Sequence, residues 1–298
     1  MRRYGVPGSG AGVCSTLPMS WTPSDRSAAD ALREIEALSV GSGTPPSGAA
    51  PRPVPTGYGA VTRTATYGFL AALPLFVLYE VGILLATGGT GAVRVGADVW
   101  IKTLLASLGA TGTQALAVGV LAAGLAVFWS ERTRRPAIVP KYFAWIVAEA
   151  LLYAVVLAYV VGGATAFLFA DVSSGAPAAL MAQLARLDLG TQLALSIGAG
   201  LYEELVFRVL LVGGLALALG RLTRWSRRDA YLVAAVVGAA VFSGVHHVGA
   251  YGDPFTVEVF TFRFLFGLAL NGVFLVRGFA LAAWAHALYD VLVVTGSV

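Results

Sequence analysis

The chain has 298 residues, of which 57% are hydrophobic and 12% are charged, and its formal net charge is +4. Soluble domains carry roughly 25% charged residues, so this composition excludes a water-soluble protein built around a single apolar core. The arginines lie in short clusters between apolar runs and are not interleaved with aromatic residues, so no nucleic-acid partner is expected. Cys14 is the single cysteine, which excludes an intrachain disulfide.

Residues 1–60 differ in composition from the remainder of the chain. They are rich in Gly, Pro and Ser, and such segments bury too little apolar surface to offset the entropy that folding costs. We predict a disordered tail here, with one short helix over residues 28–38 that Ser24 caps. No charged segment followed by an apolar one occurs in it, so we expect no cleavable signal peptide. Residues 61–298 are predicted to form the folded domain.

From residue 64 onward, long apolar runs follow one another. A helix needs about 20 apolar residues to span about 30 Å of hydrocarbon, so these runs predict membrane-spanning helices. The seven predicted spans are residues 66–87, 114–130, 142–164, 191–219, 230–248, 257–276 and 279–294. Two other segments, 99–108 and 177–187, predict helices at the membrane surface or in a loop. The predicted fold class is therefore all-α, a polytopic transmembrane helix bundle.

Basic residues predict how the bundle is oriented. They concentrate in the loops after the second and the fourth predicted spans, as Arg132, Arg134, Arg135 and Lys141, and as Arg221, Arg224, Arg227 and Arg228. Loops rich in Lys and Arg stay on the cytoplasmic side of a membrane. We therefore predict an integral membrane protein of the plasma (inner) membrane with a cytoplasmic N-terminus.

The densest polar signal inside an apolar run is Glu203-Glu204, followed by Arg208. Ionisable side chains in hydrocarbon cost about 2.5 to 3.5 kcal/mol each on insertion scales, so by default they mark a functional site. At about 100° per residue on an α-helix, Glu204 and Arg208 share a face and Glu203 points elsewhere. Arg208 is thus predicted to neutralise Glu204 and to leave Glu203 free as a general base. The alternative is a buried ion network that only packs helices.

The three histidines all lie in apolar segments. Glu203 and His246 are equally far along their helices from the basic loop between them, so an antiparallel hairpin brings them to one level. His247 lies about 100° further round the helix and is predicted to pack or to support the site. His286 and Asp290 are four residues apart and share a helix face, which aims two polar groups at one point.

These segments together resemble a known family of membrane proteins. The motifs appear in order as Glu203-Glu204-x-x-x-Arg208, Phe242-x-x-x-His246 and His286-x-x-x-Asp290. They are similar to those of the CPBP family, which comprises CAAX prenyl endopeptidases of the Ras-converting type and bacteriocin-processing or bacteriocin-immunity (Abi) proteins. The run that begins at Arg263 is similar to the arginine-bearing helix of that family. The resemblance covers residues 141–294.

The resemblance implies roles for the matching residues. In the prenyl endopeptidases the first glutamate and the first histidine activate a water molecule, which assigns Glu203 as general base and His246 as its partner. The last motif lines the oxyanion side, so His286 and residue 290 are implied to stabilise the tetrahedral intermediate. Asp290 departs from the commoner Asn. An ionised carboxylate donates no hydrogen bond, so Asp290 is expected to be protonated, to orient His286 or to bind a cation.

The residues leave metal dependence open. Glu203, His246 and His286 have the ligand types of a catalytic zinc with one open position. No His-Glu-x-x-His helix occurs in the chain, and the resemblance implies the name metalloprotease without deciding whether a divalent metal is bound.

The predicted function is an intramembrane endopeptidase that hydrolyses a peptide bond of a membrane-associated protein or peptide, with CAAX-type processing as one option. The alternative is a non-catalytic membrane protein, such as an immunity factor, a scaffold or a proton-coupled carrier, that uses the same buried polar residues. Glu80 and Glu149 face either the same cavity or a packing network, and we do not assign them to the site.

Overall fold

The computed structural model describes residues 54–86, 93–109, 112–170, 187–249 and 252–298. Every regular element in these ranges is a helix, which confirms the all-α prediction. The nine helices of the described ranges are α1 (Tyr58–Val61), α2 (Ala65–Ala86), α3 (Gly96–Ser107), α4 (Gly112–Glu131), α5 (Lys141–Leu168), α6 (Leu189–Leu222), α7 (Arg227–Val245), α8 (Val257–Arg277) and α9 (Phe279–Val294). The helices predicted over residues 28–38 and 177–187, and most of the predicted tail, lie outside the described residues.

Each of the seven predicted spans corresponds to one helix, α2 or one of α4 to α9. Five of them, α2 and α5 to α8, are long and apolar enough to cross a membrane. The apolar stretches of α4 and α9 are shorter; α9, with 16 residues, is about 24 Å long at about 1.5 Å per residue. The surface helix predicted over residues 99–108 is found as α3.

Short α9 is the central helix of the bundle. It packs against α2, α5, α6 and α8, and its alanines and Leu281 are almost completely buried. Protein therefore surrounds α9 where lipid surrounds an ordinary span, so its length need not match the hydrocarbon thickness. Gly278, with φ of 82°, connects it directly to α8. A side chain other than glycine is strained at that φ, so the sharp connection depends on this residue.

Side-chain caps define where α6, α7 and α8 begin. The caps are Asp188, Ser226 and Thr256, and each accepts a hydrogen bond from a backbone N–H in the first turn of its helix. Hydrogen bonds from the side chain and backbone of Thr191 lower the pKa of Asp188. The ionised carboxylate therefore faces the positive end of the α6 dipole.

The middle of α6 is wound as a π-helix from Ala199 to Gly213. In this winding each N–H bonds to the carbonyl five residues back, so the turn is wider than in an α-helix. The prediction for Glu204 and Arg208 assumed α-helical spacing, and the ion pair it predicted across four residues is present although this segment is wound differently. Long π segments are rare, and π turns occur frequently at functional sites.

Glycines allow the π segment to approach its neighbours closely. A Cβ atom on Gly200 would lie 2.5 Å from the carbonyl oxygen of Ala283 and from the nitrogen of Ala287, both on α9. A Cβ on Gly238 of α7 would lie 2.3 Å from a methyl carbon of Val212 on α6. Small residues at such crossings bring membrane helices into backbone contact. The relative positions of α6, α7 and α9 are thereby fixed.

Glu80 and Glu149 belong to ion networks away from the histidines. Arg277 at the end of α8 donates to both oxygens of Glu149, at 2.6 and 2.7 Å, and the Tyr58 hydroxyl donates to the same carboxylate at 2.6 Å. Burial, followed by the hydrogen bond to Glu149, raises the pKa of Tyr58, so this hydroxyl stays a donor. Glu80 pairs with Arg94 at 3.1 Å and with Lys102 at 2.8 Å. Both glutamates therefore hold helices together.

We expect Gly200→Ala to destabilise the protein and Gly214→Ala to leave it unchanged or slightly stabilised. Overpacking a tight contact costs about 1 to 3 kcal/mol, whereas a Cβ on Gly214 would meet no heavy atom within 4 Å. Thermal unfolding in detergent, followed by tryptophan fluorescence, measures the difference. Equal midpoints for the two variants would contradict the close α6–α9 contact.

Candidate active site

Glu203, in the middle of α6, and His246, directly after the last residue of α7, lie together. Glu203 Oε2 lies 3.5 Å from Nε2 of His246, and the other ring nitrogen, Nδ1, lies 2.6 Å from the carbonyl oxygen of Phe242. A carbonyl oxygen only accepts, so Nδ1 carries a proton, and in the neutral ring the lone pair of Nε2 faces Glu203. In that form both Nε2 and the Glu203 carboxylate are acceptors, and a water molecule between them would donate one hydrogen to each.

Beneath this pair, one carboxylate joins the motifs of α6 and α9. Glu204 Oε1 accepts from Nδ1 of His286 at 2.7 Å and forms an ion pair with Nη1 of Arg208 at 3.0 Å. The guanidinium carbon of Arg208 lies 4.5 Å from the centre of the Phe242 ring. A buried carboxylate needs such partners because an isolated charge is costly to remove from water. The Glu204 carboxylate is therefore bound by His286 and Arg208.

The site residues form two layers that differ in exposure. Side chains of the outer layer are partly exposed, with 14% for Glu203, 19% for His246 and 28% for Asp290. Those of the inner layer are sealed, with 0% for Glu204, 1% for Arg208 and 4% for His286. Asp290 Oδ2 lies 3.6 Å from Nε2 of His286, which links the layers. The outer layer is the more accessible to a substrate, and Nε2 of His286 borders it at Asp290.

Aromatic rings hold the two histidines in place. The Phe242 ring lies edge-on to His246, with centroids 4.7 Å apart, and 6.1 Å from the ring of His286. Phe266 of α8 lies 5.3 Å from His286 and 4.5 Å from Tyr289. Edge-to-face packing of this kind restricts ring rotation. Phe242 therefore supports the site in two ways, with its ring and with its carbonyl oxygen.

Asp253 is a site residue that the sequence analysis missed. Its backbone N–H donates to the carbonyl of His246 at 2.7 Å, and its own carbonyl lies 3.1 Å from Nδ1 of His247. Its carboxylate pairs with Arg263 of α8. These three contacts form the Asp253 clamp, which fixes the chain immediately after the catalytic histidine candidate. The dipeptide Asp253-Pro254 shortly after the two histidines is a turn signal that points to it.

His247 is placed outside the pair formed by Glu203 and His246. Its ring packs against Phe255 and Phe260, with centroids 5.1 and 6.2 Å apart. With Nδ1 bonded to the clamp, this histidine supports the loop that follows α7.

The donor atoms do not fit the zinc site considered from the sequence. Within the described ranges, no three His, Cys, Asp or Glu side chains are grouped so that they could hold a metal ion. Glu203 and His246 are adjacent, but Nδ1 of His286 is bonded to Glu204 and its Nε2 faces Asp290. A structural or catalytic zinc needs at least three protein ligands. The described residues therefore offer fewer ligands at this position than a zinc ion needs.

The structure also brings His286 to the level of the other motifs. Because His286 follows Arg277 by only nine residues, chain length alone predicts a shallower position for it than for Glu203 and His246. Direct connection of α8 to α9 and the contact of α9 with Gly200 place His286 against Glu204 instead.

Comparison with known proteins gives a match that covers the segment carrying the three motifs. Residues 185–292 match the family model described as type II CAAX prenyl endopeptidase Rce1-like. The match is narrower than the resemblance expected over residues 141–294, since α5 lies outside it, yet it includes Glu203, His246 and Asp290. Comparisons with curated proteins and with solved structures give no match. Over residues 185–292, this integral membrane protein is thus similar to the Rce1-like type II CAAX prenyl endopeptidases.

Proposed function

We propose that the protein is an intramembrane endopeptidase that hydrolyses a peptide bond in a membrane-associated protein or peptide, with water held between Glu203 and His246. The observation that carries the proposal is the approach of Glu203 Oε2 to Nε2 of His246, 3.5 Å, with the Nδ1 proton directed to the carbonyl of Phe242. This tautomer leaves Nε2 free to accept a proton from water.

Attack begins when Glu203 removes a proton from the water. The water oxygen bonds to the carbonyl carbon of the substrate, and the carbonyl oxygen becomes an oxyanion. When the intermediate collapses, the proton passes from Glu203 to the amide nitrogen and the C–N bond breaks. The products are a carboxylic acid, which then loses its proton to solvent, and an amine. A general base and acid of this kind contributes about 10² to 10⁴ in rate.

His286 and Asp290 are proposed to stabilise the oxyanion. With Nδ1–H donated to Glu204, His286 donates from Nε2 only as an imidazolium, and Glu204 stabilises that charge. Alternatively, Asp290 donates when it is protonated. Nε2 of His286 and Oδ2 of Asp290 are 3.6 Å apart. A single proton carried by either atom therefore gives this pair one hydrogen-bond donor. Glu204 and Arg208 thus act by orienting His286 and setting its charge.

The substrate is proposed to reach the outer layer from the membrane. A peptide anchored by a prenyl group is the substrate that the name of the family indicates. A peptide with the same sequence but without the prenyl group distinguishes a requirement for the lipid from a requirement for the peptide alone.

Glu203→Gln is expected to lower kcat/KM by about 10² to 10⁴, because glutamine retains the shape of glutamate but cannot remove a proton. The measurement is cleavage of a fluorogenic prenylated peptide, and of its unprenylated counterpart, by detergent-solubilised protein. Glu149→Gln is the matched control, since it changes another intramembrane glutamate that pairs with Arg277. The control should lower stability and retain activity per folded molecule. Equal activity of Glu203→Gln and wild type would end the proposal.

Asp290→Asn is expected to keep kcat/KM within about tenfold of wild type, whereas Asp290→Ala loses about 10² or more. The asparagine amide donates a hydrogen bond at every pH, but a carboxylic acid donates only while protonated. Activity of Asp290→Asn should therefore extend to higher pH than that of wild type, as a pH profile of kcat would record. If Asp290→Asn is as inactive as Asp290→Ala, the carboxylate itself is required and the donor role is wrong.

The Asp253 clamp is expected to position His246. Asp253→Asn and Arg263→Gln should each lower kcat by about tenfold or more with little change in KM, and the double variant should be no worse than either one, because both remove the same contact. Activity is normalised to folded protein, since loss of one partner of a buried pair also destabilises by about 3 to 5 kcal/mol. Asp229→Asn, at the exposed start of α7, is the control. Additive losses in the double variant would show that the pair does not act as a unit.

A further inference from the structure

A cavity of about 230 Å³ lies between α2 and α4, away from the site. It is lined mainly by apolar residues of these helices and of the segment that follows α4, including Phe69, Leu70, Val127, Phe128 and Ile138. Phe128 and Ile138 are also exposed, so the cavity reaches the protein surface. A partly open apolar cavity on the outside of a membrane bundle is of a size and chemistry to take part of an acyl chain.

The position of the cavity along the helices places it just inside the membrane. It starts at Thr66 and Glu131, next to the N-terminus of α2 and at the C-terminus of α4, and reaches Leu70 and Gly124. At about 1.5 Å per residue this depth is about 6 to 10 Å. That is the level at which the first carbons of an acyl chain lie below a lipid headgroup.

One arginine at the mouth of the cavity, and a second close to it in sequence, have no salt-bridge partner among the described residues. Arg135 lines it, and its guanidinium carbon is held 4.3 Å from the centre of the Phe128 ring. Arg132 is held in the same way by Trp129, at 4.8 Å. In the described part of the chain neither arginine forms a salt bridge. Glu131, whose carboxylate also lines the cavity, is engaged by α2, since it accepts from the backbone N–H groups of Ala65 and Thr66 at 2.7 and 2.9 Å.

We propose that this cavity is a binding site for one anionic glycerophospholipid. One acyl chain fills the apolar cavity, and the phosphate pairs with Arg135 and Arg132. Basic residues beside membrane helices on the cytoplasmic side bind anionic headgroups in this way, and the aromatic rings hold the two guanidinium groups close to the level of the phosphate. The site is separate from Glu203 and His246, so its existence does not depend on the proposed peptidase activity.

Native mass spectrometry of the detergent-solubilised full chain tests the proposal. Phosphatidylglycerol and phosphatidylcholine with identical acyl chains are titrated separately, and we expect tighter binding of phosphatidylglycerol. Arg135→Gln should weaken phosphatidylglycerol binding by about fivefold, the effect of one charge near an anionic lipid. Arg221→Gln, which removes an exposed arginine of the other basic loop, should leave it unchanged. Equal binding of the two lipids, or equal effects of the two variants, would overturn the proposal.

A second pair of variants tests the acyl-chain half of the site. A Cβ atom on Gly124 would lie 3.2 Å from the Phe69 ring, so Gly124→Leu fills the cavity and should weaken phosphatidylglycerol binding by about tenfold, the effect of a few displaced CH₂ contacts. Gly162→Leu on α5 is the control, because its Cβ would meet nothing within 4 Å. Unfolding midpoints confirm that both variants are folded. Unchanged binding in Gly124→Leu, or full displacement of the lipid by glycerol phosphate, would mean that the arginines bind only a free anion.

Discussion

The structure of the site depends on a single buried carboxylate. Glu204 bonds to His286 from one side and pairs with Arg208 on the other, so it joins the first and third motifs in one sealed ion cluster. In hydrocarbon an unpaired charge is too costly to keep, and a cluster in which each charge has a partner is the stable alternative. Once Glu204 is committed in this way, its neighbour Glu203 is the carboxylate of this pair that remains for the outer layer.

The winding of α6 makes this division between neighbours possible. Adjacent residues on a helix always point in different directions, but here both must reach histidines, one from α7 and one from α9. The π segment widens the turn, and glycines on α6 and α7 let the backbones approach, so Glu203 contacts His246 while Glu204 contacts His286. The π winding and the close backbone contacts thus act together. They place Glu203 beside the end of α7 and Glu204 beside α9.

Much of the architecture could be predicted from the sequence. Apolar runs of about 20 residues predict the long helices because the thickness of hydrocarbon sets their length, and the four-residue spacing of Glu204 and Arg208 predicts their ion pair. The π winding could not be predicted, since no local pattern in the sequence distinguishes it from an α-helix. The depth of His286 was missed for a similar reason: it depends on the abrupt connection at Gly278 and on packing against Gly200. Asp253 was missed because a carboxylate in a loop looks like an ordinary turn residue.

The hydrogen bond from Nδ1 of His246 to the carbonyl of Phe242 makes the Glu203–His246 pair depend on the main chain at the end of α7. Phe242 lies in the last turn of α7 and His246 directly follows that helix, so the proton on the ring is held by the main chain and not by another side chain. Fraying of that one turn would release the ring to take the other tautomer. The ability of Nε2 of His246 to accept a proton beside Glu203 therefore depends on the local stability of a helix end, the part of a helix that opens most readily.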